Sequence, residues 1–120
     1  MLKMNNLGKY AELEATKYLK KKRYKLVDYN YTSPFGEIDI IAKNKKYLLF
    51  VEVKMRDENS IASPKEFVDY AKQQKIIATA ELYLAKNPTD LQPRFDIVEI
   101  ICREGKIKSV KHLENAFQLS

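Results

Sequence analysis

The chain has 120 residues, of which 22 are Lys or Arg and 16 are Asp or Glu, for a formal net charge of +6. That length suits one domain spanning residues 1–120, and 45% hydrophobic with 32% charged residues describes a folding chain rather than a disordered tail. A lone cysteine excludes an intramolecular disulfide and a cysteine-based zinc site, a lone histidine close to the C-terminus argues against a Ser-His-Asp or Cys-His catalytic site, and the three glycines form no phosphate-cradling loop.

The first element carries the charge. Residues 1–25 hold eight basic side chains against Glu12 and Glu14, and the rest of the chain is balanced. Leu7, Ala11, Ala15, Tyr18 and Leu19 recur at helical spacing, which predicts an amphipathic helix over Asn5–Lys22 with Asn5 or Asn6 as N-cap. The basic run Lys20, Lys21, Lys22 and Arg23 suits the negative end of that helix dipole. It equally suits a polyanionic partner, nucleic acid or an anionic surface. Tyr24–Tyr31 alternates as a strand, and Thr32–Gly36 has turn chemistry. Glu37–Ala42 and Tyr47–Lys54 follow as strands joined at Lys43–Lys46, then a polar loop covers Met55–Ser63. Ser63-Pro64 reads as the start of a second helix, marked by Phe67, Ala71, Ala78, Leu82 and Ala85 and ended by Asn87-Pro88. Phe95–Cys102 is a strong strand, and Lys106–Val110 a weaker one after the Glu104-Gly105 turn. The order α-β-β-β-α-β-β predicts an α/β fold, a mixed central sheet between helices. No apolar run approaches the roughly 20 residues that span a bilayer, so a soluble, cytoplasmic protein with no membrane partner is expected.

The two central strands carry the chemistry. Tyr47–Lys54 is almost continuously apolar, as in a strand covered on both faces, yet Glu52 and Lys54 interrupt it. Side chains alternate along a strand, so Glu52 and Lys54 share a side, as do Glu37 and Asp39. With Asn44-Lys45 as a two-residue turn, Asp39 lies opposite Phe50 and diagonal to Glu52, about 7–8 Å away at the backbone. Burying such acids costs several kcal/mol per ion, so a pure stability role is a weak account of them. Two carboxylates at that separation suit a hard cation, Mg²⁺ or Mn²⁺. The alternative is a set of ordinary ion pairs at solvent-exposed strand ends, the better account of Glu37 alone.

The block Gly36-Glu37-Ile38-Asp39-Ile40-Ile41-Ala42 with Phe50-Val51-Glu52-Val53-Lys54 resembles the YraN-like family of uncharacterised bacterial proteins. The resemblance runs nearly end to end, through Leu7-Gly8, Glu12 and Ala15, then Lys72, Arg94-Phe95-Asp96 and Asn115-Ala116-Phe117. That family in turn resembles the archaeal Holliday-junction resolvases and the restriction-endonuclease-like PD-(D/E)XK superfamily. The resemblance implies an α-β-β-β-α-β core, metal ligation by Asp39 and Glu52, completion of the site by Glu12, and a catalytic role for Lys54. It also implies a homodimer.

Other residues are weaker signals. Lys72, beside Gln73 and Gln74, either contacts a phosphate or lies on a solvated helix face. Arg56 and Lys43, Lys45 and Lys46 flank the expected site and could grip a nucleic-acid backbone, as could Lys21, Lys22 and Arg23. Arg94 and Asp96 are expected to pair structurally, Cys102 to be buried and His112 to lie on the surface. The resulting expectation is a metal-dependent endonuclease acting on branched or nicked DNA, with a non-catalytic nucleic-acid-binding module on the same scaffold as its rival.

Overall fold

The computed structural model describes residues 4–59 and 68–118. Helix α1 spans Met4–Lys21, and strands β1 (Lys25–Ser33), β2 (Gly36–Lys43) and β3 (Tyr47–Asp57) follow it. Helix α2 (Tyr70–Lys86) then leads to strands β4 (Gln92–Arg103) and β5 (Lys106–Phe117). The strands lie in sequence order in one sheet, antiparallel except for the β3–β4 pair. That single parallel pair requires a crossover, and α2 lies within it. The expected α-β-β-β-α-β core is thus present, extended by β5. Among the described residues no helix is long and apolar enough to cross a membrane.

One helix covers each face. Ala11, Ala15 and Leu19 of α1 pack on Ile40, Ala42, Leu49, Val51, Val98 and Ile100. On the other face Ile76, Ile77, Ala80 and Tyr83 of α2 pack on Ile38, Ile41, Leu48, Phe50, Phe95 and Ile97. Strand β3 contributes to both clusters with strict alternation, which is why its sequence is nearly all apolar.

Several boundaries differ from the sequence-based expectation. α1 is already helical at Met4, so Asn5 and Asn6 lie inside the helix instead of capping it. α1 closes on Arg23, which is left-handed (φ 69°) while the Arg23 and Tyr24 N–H groups donate to the carbonyls of Lys20 and Leu19. Those two bonds form a Schellman closure, usually built on glycine. Ser63-Pro64 and Phe67 lie outside the described residues, but Val68 and Asp69 are not helical and α2 starts at Tyr70. Asp69 caps it, accepting the Lys72 N–H at 2.8 Å. Its buried stripe is Ile76, Ile77, Thr79, Ala80 and Tyr83, a face rotated from the expected one. β5 runs to Phe117 instead of stopping at Val110, because Glu104 and Gly105 both have positive φ and make the tight hairpin that keeps it paired to β4.

Candidate functional site

The β2–β3 hairpin decides where the acids meet. Asn44 Oδ1 accepts the N–H groups of Lys46 and Tyr47, and the Asn44 N–H donates to Tyr47 O, so the turn is Lys45-Lys46 rather than Asn44-Lys45. The side chain of Asn44 mimics a backbone turn and moves the loop one residue along. The register therefore pairs Ile41 with Phe50 and Ile40 with Val51. Continued one step, it sets Asp39 directly opposite Glu52, correcting the expected diagonal relation. The ladder itself ends at Ile40 and Val51, and beyond it the Val53 N–H donates to Asp39 Oδ2 at 2.8 Å. The strands fork at this point with both carboxylates inside the fork.

The fork coincides with a break in strand alternation. Ile38 and Ile40 are two apart yet belong to opposite clusters, so β2 turns over at Asp39. Asn30, between the β1 partners of Ile38 and Ile40, is left-handed (φ 49°). With its amide oriented to suit its neighbours, Asn30 nitrogen donates to Glu12 Oε1 (2.9 Å) and Glu37 Oε1 (2.8 Å). Asn30 thus bridges an acid on α1 to one on β2, and the sequence reading did not identify it. Asparagine's tolerance of positive φ is the only signal it gave.

Glu52 is buried, and one of its oxygens, Oε1, lies 2.6 Å from Lys72 Nζ and 3.4 Å from Lys54 Nζ. Lys72 is thus drawn into the site and does not lie on a merely solvated face. A cleft of about 430 Å³ opens here, bordered by Glu37, Asp39, Glu52, Asp69, Lys72 and Lys75. Gly36 lets its wall close, since a Cβ there would stand 3.3 Å from Lys75 Cβ.

Burial and crowding set the charges. Burial first, then the carboxylate of Glu52, push the Asp39 carboxyl up to about 7, with Glu12 and Glu37 adding to the effect. Burial and the Glu37 carboxylate likewise raise Glu12. The Lys54 ammonium is lowered, chiefly by burial and then by Lys72 beside it. Burial opposes charge on Lys72 most strongly, but its hydrogen bonds to Glu52 and Lys54 and the carboxylates of Glu52 and Asp39 together outweigh that and raise it. Each acid is engaged by a protein donor, and among the described residues no three Asp, Glu, His or Cys side chains are drawn up as a metal cage.

The remaining expected residues lie elsewhere. Arg56 Nη2 stands 3.1 Å from Glu99 Oε1, on a fully buried carboxylate, so its guanidinium is engaged within the sheet face and not offered to solvent. Lys43, Lys45 and Lys46 do not flank the acids. With Lys22, Arg23 and Lys25 they line a basic groove of about 480 Å³ at the closed end of the hairpin. Four residue steps along the strand, about 13 Å, separate Asp39 from Lys43. Lys21 is likewise nine residues along α1 from Glu12, again about 13 Å.

A second polar cluster ties α1 to the sheet. Arg94 pairs with buried Asp96 through Nε (2.9 Å) and Nη2 (2.8 Å), as expected. His112 is not a surface residue: its Nε2 lies 2.7 Å from Asp96 Oδ2 and its Nδ1 3.1 Å from Tyr18 Oη. Asn115, left-handed at a bulge in β5, adds its N–H to Asp96 Oδ1 at 3.0 Å. Burial disfavours the Asp96 carboxylate, but the bonds from His112 and Arg94 outweigh that and hold it below the usual carboxylate range. Tyr18 lies on the helix that carries Glu12, so this cluster fixes how that helix sits.

Fold and cleft together define a mixed α/β protein with a carboxylate and lysine cluster in the fork of its central hairpin. The chain belongs to the uncharacterised protein family UPF0102, whose family model matches residues 11–100. A UPF0102 protein of Caldanaerobacter subterraneus subsp. tengcongensis is 43% identical over 122 residues, covering 98% of this chain and all of that protein. UPF0102 proteins of Clostridium acetobutylicum (43% over 114 residues, 93% of each chain) and Francisella tularensis subsp. novicida (41% over 114 residues, 92% of this chain and 93% of that one) are similar throughout. The family of uncharacterised bacterial proteins expected from the hairpin block is therefore the one found.

Proposed function

We propose that this protein binds nucleic acid, DNA in preference, and hydrolyses phosphodiester bonds at branches or nicks with the help of Mg²⁺ or Mn²⁺. One observation carries this reading: Asp39 and Glu52 border one cleft with Lys72, Lys54 Nζ stands 3.4 Å from Glu52, and Glu12 is close enough to raise Asp39. The donor set fits the cation. It consists of hard carboxylate oxygens, and the crowding that lifts Asp39 is an excess of negative charge that a divalent ion neutralises. Asp39 and Glu52 would hold it, with Glu12 completing the set. Bound there, the ion would supply Lewis acidity toward a phosphoryl oxygen and a more acidic water. Lys54 would place its ammonium where charge develops on phosphorus. Lys72, released from Glu52, would pair with a phosphate oxygen. The basic groove at the other end of the hairpin gives the same backbone a second, sequence-independent contact. A cytoplasmic setting suits the single free cysteine. A symmetric dimer would present two such clefts to two strands.

The test is incubation of end-labelled branched, nicked and single-stranded DNA with Mn²⁺, wild type beside Lys54→Ala. Cleavage is expected to require the ion and to fall by about 10²-fold or more in the variant. Absence of cleavage dependent on both, across all three substrates, would refute catalysis. One observation favours a non-catalytic binding module instead: every acid of the cluster already has a protein donor. That reading requires salt-sensitive DNA binding that survives both Asp39→Asn and chelation.

A further inference from the structure

Among the described residues five large apolar side chains are exposed, namely Leu13, Val27, Tyr29, Phe35 and Tyr70. Four of them stand within two positions of the cluster: Leu13 beside Glu12, Tyr29 beside Asn30, Phe35 before Glu37, and Tyr70 before Lys72. The two most exposed, Phe35 at 54% and Tyr70 at 71%, are aromatic and are chain neighbours of residues that line the cleft. Phe35 immediately precedes Gly36, and Tyr70 lies between Asp69 and Ala71, all three of which line it.

Local structure does not call for either ring. The β1–β2 turn is organised by Ser33, whose Oγ accepts the N–H groups of Phe35 (3.1 Å) and Gly36 (3.3 Å) and bonds Thr79 Oγ1 of α2 (2.8 Å). Turn positions favour Gly, Asn, Asp and Ser, not phenylalanine. At the start of α2 the capping is done by Asp69, not by Tyr70. The backbone beneath each ring is anchored, because the turn after Phe35 sits against Lys75 and Thr79 while Tyr70 opens the same helix. Two exposed aromatic side chains on anchored backbone therefore neighbour a cleft lined by Lys72 and Lys75.

We infer that Phe35 and Tyr70 are stacking platforms for unpaired nucleobases, so that the substrate of this cleft is single-stranded beside the phosphodiester it engages. The inference deepens the nuclease reading and rests on it. A single strand alternates anionic phosphates with flat apolar rings, matching lysines inside the cleft and aromatic faces at its rim. Within a duplex each base face is covered by its neighbours and only edges remain exposed, so these rings would find no partner there. Stacking is also indifferent to base identity, which fits a cleft with no amide or guanidinium group among its described lining residues to read base edges.

The experiment measures binding of a labelled single-stranded oligonucleotide and a blunt duplex of the same sequence by fluorescence anisotropy in Ca²⁺, for wild type, Phe35→Ala, Tyr70→Ala and Phe35→Trp. Each alanine variant is expected to weaken single-strand binding roughly 5- to 100-fold while changing duplex binding by less than about twofold, and the tryptophan variant to retain affinity. Both residues are exposed, and thermal unfolding checks that the variants fold like the wild type. Equal losses on the two DNA forms, or none on either, overturn the inference while leaving metal-dependent cleavage intact. If wild type neither binds nor cuts any DNA, the nuclease reading fails and this one with it. If an alanine variant turns a dimeric wild type into a monomer in sedimentation, the rings belong to a subunit contact and the inference is wrong.

Discussion

Replacing Asp39 by asparagine should stabilise the metal-free protein at neutral and alkaline pH and leave it unchanged in acid. In the folded chain burial and the carboxylates of Glu52, Glu12 and Glu37 raise Asp39 from 3.8 to about 7. Below pH 3.8 the group is protonated in both states and contributes no difference. Between the two values the unfolded chain releases the proton while the folded chain keeps it, so stability falls as pH rises. Above about 7 the loss is complete, and at about 1.4 kcal/mol per pH unit it comes to between about 4 and 5 kcal/mol, an upper figure for so crowded a site. An asparagine oxygen still accepts the Val53 N–H and carries no charge. Urea unfolding of wild type and Asp39→Asn from pH 4 to 8 isolates the effect, because every other titrating group is common to both proteins. The variant should gain about 2–4 kcal/mol at pH 8 over its value at pH 4. Adding Mn²⁺ should narrow that gap by stabilising only the wild type. A stability difference that stays constant with pH would refute the crowding argument.

Two further predictions concern the frame of the site. His112→Ala removes one of the donors to buried Asp96 and the partner of Tyr18, and should cost about 2 kcal/mol in denaturant unfolding. Because Asp96 is held below its usual value, that contribution is present above pH 3.8 and lost as pH falls through the lower folded value, so the deficit should shrink in acid. Arg23→Gly should raise stability by about 0.5–1 kcal/mol, since glycine adopts the left-handed helix closure without steric cost. A fall in thermal midpoint would contradict that reading of the helix end.

The hairpin was legible because its physics is local. A two-face apolar run broken only at Glu52 and Lys54, beside acids at period two in β2, fixes which strands are central and which side chains meet. What escaped depended on single side chains acting on backbone. Asn44 caps its own turn and shifts the register by a residue, so the opposition of Asp39 and Glu52 was not readable from turn length. Asn30 looked like one polar position in an alternating strand, yet its left-handed backbone marks where β2 and β1 twist. For Lys72 the sequence leaves both a phosphate contact and a solvated face open, since a helix starting at Pro64 gives no reason to choose. Capping by Asp69 places Lys72 in the first turn, facing Glu52. His112 is a long-range case, brought to Tyr18 by a strand that the sequence ended too early.

The fork between β2 and β3 has a consequence for observing the protein at work. The Val53 amide is bonded to the Asp39 carboxylate, not to a carbonyl of β2. Its proton therefore senses the charge on one side chain, while those of Phe50 and Val51 report on the sheet. In a nitrogen–proton correlation spectrum the Val53 signal becomes a resident indicator of the site. It will move when Asp39 ionises and move again when a cation takes the oxygen, in the active chain with no reporter group attached and without any substrate.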